Sequence, residues 1–117
     1  MSNAQALRAV LDHVREHPTA WKQEWWSECF AGQALRVLLG ATAMDSACCP
    51  GSKALAVPGE PQYCGYHIGV RAAQLLDLTP HQAERLFGGD NSLRRLADLI
   101  EEFTKKEAVP PEMALSA

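Results

Sequence analysis

The sequence predicts an all-α fold, a bundle of about five helices with a short β-hairpin as an optional extra in one long loop. Three observations carry this. Apolar residues recur at helical spacing in five separate segments. Proline or glycine punctuates the ends of those segments. The one stretch that breaks the pattern, residues 45–66, concentrates Pro50, Gly51, Pro58, Gly59, Pro61 and Gly65. A chain of 117 residues is of single-domain size and can bury one core without staples. The expected organisation is one helical domain over 1–108 and a flexible tail over 109–117.

The first helix is expected over about 3–17, where Leu7, Val10, Leu11 and Val14 form one stripe and Pro18 stops it. All three tryptophans, Trp21, Trp25 and Trp26, then fall within a few residues of one another. A second helix is expected from near Ser27. Phe30, Ala34, Val37, Leu38 and Ala41 share a face, and Leu35 and Leu39 widen it, so this helix should be central with Leu38 buried.

Residues 45–66 read as a long loop, in which 54–57 and 62–66 can pair as a hairpin. A third helix is expected over about 67–78, with Ile68, Ala72, Leu75 and Leu76 inward. Thr79-Pro80-His81-Gln82 is a helix start: threonine caps, proline takes the first position, and glutamine completes a capping box. That fourth helix ends at Gly88-Gly89. Asn91 or Ser92 caps a fifth, with Leu93, Leu96, Ala97, Ile100 and Phe103 as its stripe. Its outer face spaces Arg94–Asp98, Glu101–Lys105 and Glu102–Lys106 as four-apart pairs.

Composition excludes some functions and disfavours others. The net charge of -3 comes with no strongly basic segment, which disfavours nucleic acid as a partner. The longest apolar run, 34–44, is interrupted by Arg36 and falls far short of the ~20 residues of a membrane span. No leader pattern opens the chain, so a cytoplasmic location is expected. There Cys29, Cys48, Cys49 and Cys64 are expected as thiols, metal ligands or catalysts rather than structural disulfides.

Four constellations could carry chemistry. Gln23 precedes Cys29-Phe30 by six residues, which resembles the papain-like cysteine hydrolases. That resemblance implies Cys29 as nucleophile, Gln23 as oxyanion donor and His67 as base. A cysteine in a first helical turn is a sound place for a thiolate. The structural alternative makes Cys29 a small buried apolar residue and His67 a polar helix start. His13 and His17, four apart, could join Cys48, Cys49 and Cys64 around a metal, but an adjacent cysteine pair lacks the zinc-knuckle spacing. No metal or cofactor is therefore expected.

Residues 69–88 resemble a helix-turn-helix DNA-binding unit, with Ala73 as packing alanine and Asp77 in the place of the turn glycine. Its second helix offers His81, Gln82, Glu84 and Arg85, a set of little net positive charge. Trp21, Trp25, Trp26, Tyr63 and Tyr66 form the candidate surface for a protein or small-molecule partner, though core anchoring is the competing use of large rings.

Taken together, His17, Pro18, Trp21, Gln23, Trp26, Cys29, Phe30, Ala31 and Gly32, followed by Leu75, Leu76, Leu78, Thr79, Leu86, Phe87, Asn91 and Leu93, resemble a group of small proteins from actinobacteria and their phages. That resemblance implies no established activity. The expected function is a non-enzymatic accessory or regulatory binding module, with a homodimer left open. A cysteine hydrolase or transferase and a DNA-binding regulator are the alternatives.

Overall fold

A computed structural model describes residues 3–23, 25–46 and 53–107 of the chain. Five helices and one small sheet follow in the order α1 (Asn3–Glu16), α2 (Phe30–Leu39), β1 (Thr42–Asp45), β2 (Lys53–Ala56), β3 (Tyr63–Cys64), α3 (Tyr66–Leu76), α4 (Pro80–Leu86) and α5 (Leu93–Glu107). The fold is mostly helical, as the periodicity predicts. The expected loop, however, carries part of a three-stranded antiparallel sheet of order β1-β2-β3.

The expected hairpin is β2 pairing with β3, in register Ala54↔Cys64 and Leu55↔Tyr63. β1 is not among the elements the sequence predicts, because Ala41 continues the apolar stripe of the second helix. Gly40 ends that helix instead. It adopts the left-handed conformation at φ 70°, and the N–H groups of Gly40 and Ala41 close back on the carbonyls of Arg36 and Leu35. The chain then leaves as a strand whose four residues are all exposed.

The core is built from one face each of α1, α3 and α5 and from the first turns of α2, where residues 30–35 are buried all round. Leu7, Val10 and Val14 of α1 meet Phe30, Ala34 and Leu35 of α2, Ile68, Ala72 and Leu76 of α3, and Leu96, Leu99 and Ile100 of α5. Leu55 adds the sheet's contribution. Leu38, expected at the centre, is only half-buried, and Leu35 takes the central place on α2. The difference follows from position, since Leu38 lies in the last turn of a helix that Gly40 cuts short.

Caps divide the last two helices as the local chemistry dictates. Gln82 N–H donates to Thr79 Oγ1 at 3.1 Å and Thr79 N–H to Gln82 Oε1 at 3.0 Å, a complete capping box. Ser92 Oγ accepts from Arg95 N–H at the start of α5. Asn91 does not cap α5 but turns back, its amide donating to the carbonyls of Arg85 and Leu86 at the end of α4. Glu102, expected to face Lys106, receives the Arg85 guanidinium of α4 at 2.6 Å. The side chains of Lys105 and Lys106 lie outside the described residues, as do Cys48, Cys49 and the tail from 108. No described helix is long and apolar enough to cross a membrane.

Candidate functional site

The segment between α1 and α2 has no regular structure, so its backbone groups need partners when it packs on the core. Its own turns satisfy several of them, and Gln33 and Arg36 of α2 supply others. Gln33 Nε2 donates to the carbonyls of Ala20 and Glu28 at 3.0 and 3.2 Å. Arg36 donates through Nε and Nη2 to the carbonyl of Ser27. Gln23 is buried and uses its whole amide: Oε1 accepts from Trp21 Nε1 at 2.9 Å and Phe30 N–H at 3.1 Å, and Nε2 donates to the carbonyls of Leu86 and Gly88, each at 3.0 Å. Gln23 thus ties the tryptophan segment to the start of α2 and the end of α4.

Cys29 is 1% exposed and sits at the N-cap position of α2, where it makes no side-chain cap. Its Sγ faces the Trp26 carbonyl at 3.6 Å. Burial pushes the thiol above its ordinary pKa and outweighs the opposing amides of Ala31 and Gly32. A cavity of about 130 Å³ beside it is walled by Gln23, Trp26, Phe87 and Gly89, with His67 not among them. His67 is exposed on α3, stacked on the ring of Tyr66 with centroids 4.3 Å apart. Of the set inferred from the cysteine-hydrolase resemblance, Gln23 and Cys29 line this one cavity, the glutamine amide is fully engaged, and the His67 imidazole is not among the cavity's walls.

His13 and His17 stack at 4.4 Å, and His17 Nδ1 hydrogen-bonds the His13 carbonyl. Among the described residues no group of three or more His, Cys, Asp and Glu could hold a metal ion.

An open trough of about 700 Å³ runs along α3 and α4 and is closed on one side by Trp26. Packing leaves the gap: α3 lies on α1 and α2 whereas α4 leans on α5. Tyr66, Val70, Ala73 and Asp77 line it from α3, at helical spacings of four, three and four. Phe87 forms the floor, edge-on to Trp26 with centroids 6.4 Å apart. Three large apolar side chains in its walls stay open to solvent: Tyr66 at 62%, Val70 at 48% and Trp26 at 38%.

The charged residues of the walls are Asp77 and Glu84, both exposed, and neither forms an ion pair among the described residues. Asp77 holds its place at φ 54°, closing α3 in the left-handed region that aspartate tolerates.

Of the five aromatic residues read as a binding surface, Trp26 and Tyr66 line this trough. Trp21 is half-buried with its Nε1–H on Gln23, and Trp25 is exposed outside the trough. Tyr63 donates its hydroxyl to Glu60 Oε1 at 2.7 Å, and Arg71 donates to both Glu60 oxygens, strapping the β2–β3 turn to α3. Sequence reasoning missed Val70, Phe87, Asp77 and Glu84 as wall residues. Their signal was a second apolar row on α3, Tyr66-Val70-Ala73, beside the buried one. Comparison with protein-family models, with curated proteins and with solved structures finds no match to this chain, so the chemistry of the trough is read from its own walls.

Proposed function

We propose that this domain is a non-enzymatic binding module whose partner seats in the trough between α3, α4 and Trp26. One observation carries the reading. Three exposed large apolar side chains, Trp26, Tyr66 and Val70, share one concavity of ligand-binding size, where a lone exposed residue would need no explanation. The buried, high-pKa thiol of Cys29 and the fully bonded amide of Gln23 argue against the hydrolase alternative.

Electrostatics argue against the DNA-binding alternative, although α3, Asp77 and α4 do form two helices joined by a tight turn. Arg85, the cation of the second helix, is committed to Glu102, and the trough beside it presents Asp77 and Glu84. Such a surface repels phosphate.

The test is binding of the uncharged apolar dye Nile red to the native protein. Val70→Asp and Tyr66→Ser, both at exposed positions, should abolish dye fluorescence enhancement and leave the thermal melt unchanged. Equal dye binding by wild type and both variants would refute the trough as the binding site.

A further inference from the structure

We propose that the occupant of the trough is an amphipathic helix of a partner protein, with bulky aliphatic residues on one face and lysine or arginine beside them. The proposal rests on the reading of the trough as the binding site and adds the chemistry of what binds there.

Shape is the first argument. Small-molecule sites enclose most of their ligand, whereas this concavity is an open trough flanked by two helices. Its α3 wall runs from Tyr66 to Asp77, a length of about 16 Å at ~1.5 Å per residue, or three helical turns. An incoming helix of about eleven residues matches that length and offers anchors at i, i+3 or i+4 and i+7 within it, which is the helix-in-groove mode of recognition. Trp26 and Phe87 at the side and floor provide apolar surface for such anchors.

Charge is the second argument. Asp77 and Glu84 are the charged groups of the walls, both are acidic, and both lack an ion-pair partner among the described residues. Asp77 also stands at the C-terminal end of α3, where the helix dipole adds negative potential. An acidic rim around an apolar floor selects a basic amphipathic helix and opposes an acidic one.

The experiment uses the full chain and three labelled fourteen-residue synthetic peptides, read by fluorescence anisotropy. One has leucines on a single helical face and lysines on the other. The second replaces each lysine with glutamate, and the third keeps the lysine composition but places a proline at its centre. The lysine peptide should bind at least about tenfold more tightly than the glutamate peptide, and the proline peptide should fail.

Asp77→Asn and Glu84→Gln remove charge while keeping shape, and asparagine also accepts the left-handed backbone of position 77. Each should weaken the lysine peptide by roughly two- to fivefold, and together they should flatten its salt dependence. Val70→Asp should abolish peptide and dye binding alike.

Equal binding of lysine and glutamate peptides, or no effect of the two neutral variants, overturns the charge assignment while dye binding still supports the trough. Tight seating of dodecylammonium without any peptide binding would make the occupant a small amphiphile. Dimerisation lost in Val70→Asp would make it a second copy of this chain. Either result refutes the partner-helix proposal. Failure of the dye test itself removes the trough reading on which the proposal stands.

Discussion

The six-membered ring of Trp26 occupies the space in which a side chain at Gly69 would stand: a Cβ there would lie 2.5 Å from Cζ3 and 2.9 Å from Cη2. Glycine at this position of α3 lets an indole from a segment more than forty residues earlier form the side of the trough. The close neighbour is the far end of a side chain rather than backbone, so the ring can give way.

Gly69→Ala should therefore displace the Trp26 ring without unfolding the protein. Alanine gains helix propensity worth about 1 kcal/mol, which offsets the steric cost. The expected outcome is a changed tryptophan emission spectrum and weakened dye binding, with a melt that moves little. An unaltered spectrum would mean that Trp26 does not rest on α3.

Gln23→Leu should cost about 2–4 kcal/mol, because it leaves the carbonyls of Leu86 and Gly88, the Phe30 N–H and the Trp21 indole N–H without their shared partner. Gln23→Glu should also destabilise, since a carboxylate cannot donate to two carbonyls. Urea unfolding at neutral pH measures both losses.

Cys29 should resist iodoacetamide in the native protein at neutral pH and react more slowly than the half-buried Cys64. Burial raises the folded pKa of Cys29, so the folded state holds a proton that the unfolded state releases above about pH 8.5. The stabilising preference for the thiol is complete below that pH and declines as pH rises toward the folded value. Cys29→Ala should remove this part of the alkaline slope.

Glu60 behaves with the opposite sign. Hydrogen bonds from Arg71 and Tyr63 hold its carboxyl below the ordinary glutamate value. Its contribution is present above about pH 4.3 and is lost as pH falls through the depressed folded pKa. Glu60→Gln should shallow the acid limb of a stability–pH curve and loosen the turn between β2 and β3. Proteolysis within 57–62 reads the second effect.

Leu35→Ala should cost about 2–5 kcal/mol, as expected for a leucine with no exposed surface. Leu38→Ala should cost clearly less, being half-buried near the helix end. Equal losses would place the centre of α2 a turn later than the structure has it.

Local chemistry was enough to read the helices from the sequence. Pro18 after a regular stripe, the Thr79–Gln82 box and the apolar row from Leu93 to Phe103 are short-range signals, and the structure follows them. The pairing of β2 with β3 was legible for the same reason, through its bounding prolines and glycines. β1 was not legible, because its short run of small and apolar residues directly follows an apolar helix and only the left-handed turn at Gly40 separates them.

The site was decided by packing between distant segments. Cys29 and Gln23 stand at the spacing of a catalytic pair, yet that spacing says nothing of burial, nor that Gln23 would meet Leu86 and Gly88 across more than sixty residues. Trp25 and Trp26 are neighbours of one residue type, and only the second lies in the trough, because Gly69 leaves room for its ring. Asp77 and Glu84 become one acidic rim only when α3 and α4 stand on either side of the trough. Helical periodicity fixes which residues share a face, whereas whether a face is covered depends on where the other helices lie, and that relation is long-range.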